Sequence, residues 1–143
     1  MRYTARQKAV FKRRLLALAR LLRRVPRNRF RMDVWVGDDW RGDKTLSCGT
    51  SACALGWAAT IPSLQRAVLE LVGTPGPTVG WRDPRRRKRP PILDPTRAAL
   101  EVFGVAVEDF ATLFTPGLKA VETPLGKAKQ IEQLVRGGDL WRG

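Results

Sequence analysis

Residues 4–25, TARQKAVFKRRLLALARLLRRV, have the pattern of one amphipathic helix. Thr4 and Gln7 stand three apart as a capping box, each placed to satisfy a free backbone N–H at the helix start. Phe11, Leu15, Leu18, Leu22 and Val25 then recur at alternating steps of four and three, which builds one apolar face. At about 100° per residue, Lys8, Lys12, Arg13, Arg20, Arg23 and Arg24 fall on the other side. Pro26 stops the run, and no acidic residue precedes Asp33.

Beyond it the period changes. Phe30, Met32, Val34 and Val36 share one parity before the turn residues Gly37-Asp38-Asp39, so a short extended or β segment is expected near residues 30–36. The Ala-rich stretch Gly49–Ile61, with Cys53, Leu55 and Trp57, predicts a buried helix capped by Ser47, Thr50 or Ser51 and closed by Pro62. Ser63 is expected to cap another helix, carrying Leu64, Ala67, Val68, Leu71 and Val72 to Gly73.

Residues 74–91 are rich in Pro, Gly and Arg, with Trp81 followed by Arg82, Arg85, Arg86, Arg87, Lys88 and Arg89. They are expected to form a long flexible basic loop without a core of its own. Asp94-Pro95 is a cap followed by proline at the first helical position, opening a helix through Ala98, Leu100, Val102 and Phe103 to Gly104. A short helix over about Val107–Phe114 follows. Thr123-Pro124 repeats the start signal for a last helix bearing Ala128, Ile131, Leu134 and Val135 and ending at Gly137-Gly138. The expected fold is therefore mainly α: one domain over residues 1–143, with five to six helices, one short extended segment and a long Arg/Pro-rich loop. Hydrophobic residues make up 43% of the chain, enough for a modest core.

The charge is lopsided: 27 Lys and Arg against 13 Asp and Glu give +14. Such an excess points to a polyanion or an acidic protein surface as partner, and the same residues can also serve only as a solvated face. No apolar run is long enough to span a bilayer, and Lys12, Arg13, Arg14 and Arg20 interrupt any export-signal core, so a cytoplasmic protein is expected. Few Asn, Met and Cys, with abundant Arg and Pro, match proteins that work hot; G+C-rich codon usage produces a similar bias.

The chain has no histidine, which removes Ser-His-Asp and Cys-His mechanisms and most zinc sites. Cys48 is expected just before a helix N-terminus, where a thiol pKa can fall, yet no histidine base accompanies it. Cys48 and Cys53 match no common zinc finger and read as buried apolar side chains. Asp33, Asp38, Asp39 and Asp43 cluster without the EF-hand spacing, and the glycines form neither a phosphate loop nor a dinucleotide fingerprint. No metal, cofactor or catalytic group is expected.

The stretch Cys48-Gly49-Thr50-Ser51-Ala52-Cys53-Ala54-Leu55-Gly56-Trp57-Ala58 resembles a C-G-T-x-A-C-x-x-G-W-A segment of small bacterial and phage proteins of unassigned function. Phe30-x-Met32-x-x-Trp35, Phe103-Gly104 and Leu113-Phe114 extend the likeness. Size and Arg-rich composition also look like the transcription factors of thermophile-infecting phages. That resemblance implies binding to the bacterial RNA polymerase holoenzyme, core and sigma factor, with altered transcription initiation. It names no contact residues. From the charge pattern alone, the expected partner-binding residues are Lys12, Arg13, Arg20, Arg23 and Arg24 on the first helix, and Trp81, Arg85, Arg86, Arg87, Lys88 and Arg89 in the loop. The alternative partner for the same residues is DNA or RNA itself, bound largely without sequence preference.

Overall fold

The computed structural model describes residues 3–30, 53–66, 69–72, 78–83, 85, 90–114, 123–137 and 139–141. The fold is mainly α, with six helices and a small antiparallel sheet among the described residues. Helix α1 (Ala5–Leu22) starts at the expected capping box: Thr4 Oγ1 accepts from the Gln7 N–H at 3.1 Å, and Gln7 Oε1 accepts from the Thr4 N–H at 2.8 Å. Phe11, Leu15, Leu18 and Leu22 are buried. Burying such side chains is worth roughly 1.5–3 kcal/mol each. Packing therefore holds α1 far more strongly than local propensity, since isolated helices of this length are marginal in water.

Three elements cover that face. They are α6 (Pro124–Gly137), α4 (Pro95–Phe103) and the five-residue α2 (Ala54–Ala58). Helix α6 presents Ala128, Ile131 and Val135 to the core. Arg23, just past the end of α1, donates to both Glu132 carboxylate oxygens at 2.8 and 2.9 Å. Helix α4 opens as its sequence dictates: Asp94 Oδ1 accepts from the N–H groups of Thr96 and Arg97, and Pro95 occupies the first turn.

The end of α4 is a junction. Gly104 closes the helix in the left-handed region at φ 65°. The Phe11 ring lies so near that a Cβ on Gly104 would meet it at 2.6 Å. Two carbonyls left free by the helix end are taken up by other elements, Val102 O by the Arg14 guanidinium (2.8 Å) and Phe103 O by the Trp141 indole N–H (2.9 Å). Trp141 also stacks on Phe11, with centroids 6.3 Å apart. Helix α5 (Val107–Leu113) follows and adds Phe110, Leu113 and the adjacent Phe114 to the core.

The segment 63–73 departs from expectation. It is not one helix: α3 (Pro62–Arg66) is a short helix, and Leu69–Val72 forms strand β1. Strand β1 pairs antiparallel with β2 (Thr78–Trp81) in the register Leu69–Trp81 to Val72–Thr78. The two sequence periods are hard to separate over so short a run, because Leu64, Ala67, Val68, Leu71 and Val72 fit a helix face while Leu69 and Leu71 also alternate as in a strand. Pairing decides in favour of the strand: it satisfies the backbone, and Glu70 accepts from Arg82 at 3.0 Å across the sheet.

The expected core-free loop over 74–91 is corrected by the same sheet. Val79 and Trp81 belong to the core, and Trp81 exchanges two backbone hydrogen bonds with Ile92 (3.0 and 2.7 Å). Helix α2 is shorter than the expected 49–61 helix. Cys53 sits at its N-cap, and Pro62 begins α3 instead of merely ending α2. The expected caps Ser47, Thr50 and Ser51, and the extended segment at 31–36, lie outside the described residues. None of the described helices is long and apolar enough to cross a membrane.

Replacing Gly104 with Ala should expose the α4 junction. A left-handed backbone costs an L-residue about 1–2 kcal/mol, and overpacking a filled site about 1–3 kcal/mol more. Chemical denaturation of Gly104→Ala should show a loss of roughly 2–5 kcal/mol. A loss below about 0.5 kcal/mol would contradict the tight Phe11 contact.

Candidate binding surface

With its apolar face held on three sides, α1 must turn the opposite face to solvent. Arg6, Arg13 and Arg20 lie there within about 40° of the helix circumference, and Arg24 follows two residues past the helix end. Arg6, Arg13 and Arg20 are seven residues apart, so their Cα atoms advance in steps of about 10 Å. All four are exposed, and none has an ion-pair partner among the described residues. Lys8 and Lys12 are exposed on one flank. Arg6 was missed from sequence because it precedes the first core residue; extending the seven-residue spacing of Arg13 and Arg20 backwards would have found it.

This charge brings α1 little stability. No acidic residue occupies its first turn, where the helix dipole favours anions, and Arg6 and Lys8 stand near that end. Lys8 and Lys12, four residues apart within α1, are like charges of the kind that weaken a helix by about 0.2–0.5 kcal/mol. Only toward the C-terminal end does the dipole favour cations.

The structure separates the other expected residues. Arg23 is engaged with Glu132, whose carboxyl is held below its usual range first by that hydrogen bond. Lys12 lines a hollow between α1 and α6 with Leu16, Glu132, Val135 and Arg136. Trp81 is only 7% exposed, with the Arg97 guanidinium 5.4 Å from its ring centre, so it presents no open face to a partner. Arg85 is highly exposed and pairs with Asp83 at 3.3 Å. Arg86, Arg87, Lys88 and Arg89 lie outside the described residues.

A buried lysine was also missed. Lys127 is 2% exposed, and its Nζ donates to Gln130 Oε1 at 2.6 Å. Its place four residues before Ile131, on nearly the same side of α6, was the available signal. Cys53 is fully buried, and burial pushes its thiol up to about 11 despite nearby backbone N–H groups and Lys127. Buried neutral sulfur is a packing group, not a nucleophile. Cys48 and the Asp33, Asp38, Asp39 and Asp43 cluster lie outside the described residues. Among the described residues no three acidic or sulfur side chains converge on a metal position. No family model, curated protein or solved structure matches the chain.

The Cys53 environment has a direct readout. In a Cys48→Ser background, native protein at pH 8 should resist iodoacetamide, and denatured protein should label fully. Because the folded thiol titrates above the unfolded value of about 8.5, its contribution to stability is present below that pH and is lost as pH rises towards about 11. Rapid native labelling at pH 8 would show an accessible thiolate instead.

Proposed function

We propose that this protein is a non-enzymatic binding protein that docks the arginine ridge of α1 on an acidic partner surface and thereby regulates transcription by bacterial RNA polymerase. The observation that carries the docking surface is a row of four exposed guanidiniums without ion-pair partners on a helix fixed by its core face. Arginine suits this task because its planar fork pairs with carboxylates and stacks on neighbouring side chains. The polymerase holoenzyme, core and sigma factor, enters through the resemblance to phage transcription factors; on that reading the protein acts in the cytoplasm of the host.

Direct binding to DNA or RNA is the second reading, and the seven-residue repeat of Arg6, Arg13 and Arg20 along α1 favours it, since phosphates also repeat regularly. Against it stands the scarcity, among the described residues, of aromatic surface for unstacked bases: Phe11, Phe30, Trp57, Trp81, Phe103, Phe110, Phe114 and Trp141 are buried, and Tyr3, partly buried and in T-shaped contact with Phe11, is the one described aromatic with accessible surface.

Gel filtration with RNA polymerase holoenzyme and a promoter-dependent transcription assay test the proposal together. The protein should comigrate with polymerase and change transcript yield, and Arg13→Glu with Arg20→Glu should weaken comigration at least tenfold without altering the fold. No comigration and no change in transcription would defeat the polymerase reading. Binding to bare duplex DNA that falls steeply between 50 and 200 mM salt would establish the nucleic-acid reading in its place.

A further inference from the structure

The ridge is not uniform. At its C-terminal end, Ala17, Leu21, Arg20 and Arg24 of the α1 region face Thr60, Ile61 and Pro62 at the α2–α3 corner across a notch of about 260 Å³. Ala17, Leu21 and Ile61 are half-buried, whereas Arg20 and Arg24 are exposed. Thr60 Oγ1 donates to Trp57 O at 2.6 Å, so its hydroxyl proton is already committed. The notch thus offers an aliphatic lining beside two cations one helical turn apart.

Its size limits the occupant. Sites for drug-sized ligands and cofactors span about 300–1,000 Å³, so this notch suits a side chain better than a free cofactor. Its composition limits the occupant further. A phosphate backbone needs cations but no aliphatic seat, and a nucleobase would find no aromatic surface among these seven residues. An aliphatic side chain flanked by carboxylates uses both features.

Resting on the acidic-partner reading above, we propose that the notch receives one aliphatic side chain of an acidic helical protein segment, whose carboxylates pair with Arg20 and Arg24. Arg24 stands two residues past the end of α1, but its N–H still bonds back to Leu21 O at 2.9 Å, so the chain keeps turning and the two Cα atoms are about 6 Å apart. Carboxylates at positions i and i+4 of a partner helix have the same spacing, and a leucine at i+3 shares their face. In this arrangement the arginines set register and the leucine supplies apolar burial, as an anchor does at the centre of an interface.

The test uses the full chain and a fluorescein-labelled helical peptide containing Glu-x-x-Leu-Glu, read by anisotropy. The peptide should bind, and its Leu→Ala version should bind at least tenfold more weakly; this comparison leaves the protein untouched. Ala17→Leu, which fills the notch and removes no charge, should cause a similar loss while circular dichroism confirms the native fold. Arg20→Ala with Arg24→Ala should abolish binding. Equal affinity for the Leu and Ala peptides, or no peptide binding alongside tight duplex-DNA binding that Ala17→Leu leaves unchanged, would overturn the inference. Polymerase comigration separates the two levels. Loss in Arg13→Glu with Arg20→Glu but full retention in Ala17→Leu would sink the notch and keep the ridge; retention in both would sink the ridge itself.

Discussion

The burial of one face of α1 is the constraint from which the rest of the fold follows. Leu15, Leu18 and Leu22 are fully buried, and α2, α4 and α6 all pack against this helix. An 18-residue helix carrying so many like charges and no acid in its first turn has little reason to persist by itself. Its order is borrowed from the elements that cover it. Two of those elements, the five-residue α2 and the nine-residue α4, are too short to persist by themselves, so the dependence runs both ways.

The α4 junction converts this packing into a fixed orientation. Hydrophobic contact alone would let two helices slide, whereas the Arg14 bond to Val102 O, the Trp141 bond to Phe103 O and the Phe11 ring seated against Gly104 set both rotation and register. Arg14 is the one arginine of α1 turned inward. Burial lowers its pKa, and a carbonyl acceptor offsets the loss of water. On the far side, Arg23 and Glu132 tie α1 to α6. Once these contacts are made, Arg6, Arg13, Arg20 and Arg24 have no freedom to rotate away from solvent as a group.

Much of this was legible in the residues. Thr4 with Gln7, Asp94-Pro95, Gly104 and Thr123-Pro124 are local signals, set by backbone groups within one turn, and the structure places helix ends at all of them. Strands β1 and β2 were not legible, because the state of Leu69–Val72 is decided by partners about ten residues away and not by its own period. Trp81 was misplaced for a related reason: the arginines after it suggested a solvated arm, yet the pairing with Leu69 and Ile92 carries it inward. Lys127 was missed because a lysine is ordinarily solvent-exposed: its partner Gln130 stands only one turn along α6, but the burial of the side chain is set by the tertiary packing around that helix. Of the candidate surface, the helix stripe was readable, whereas the division between engaged Arg23 and the outward ridge depended on Glu132, more than a hundred residues away.

The placement of the acids sharpens the meaning of that ridge. Glu70 meets Arg82, Asp83 meets Arg85, Glu101 meets Arg97 and Glu132 meets Arg23; Asp94 caps α4, while Glu108 and Asp109 stand in the first turn of α5. Four of these acids are engaged in ion pairs and Asp94 in a cap, and among the described residues none pairs with Arg6, Arg13, Arg20 or Arg24. Ridge arginines about 10 Å apart are separated by roughly one Debye length in physiological salt, about 8 Å. Their mutual repulsion is therefore mild, yet their potentials still add over an extended partner. A partner that is both acidic and large gains from all four at once, whereas a small anion gains from one. On the proposed reading the ridge favours a macromolecular surface over a small anion, and the aliphatic notch at one end would give that surface a fixed place to begin.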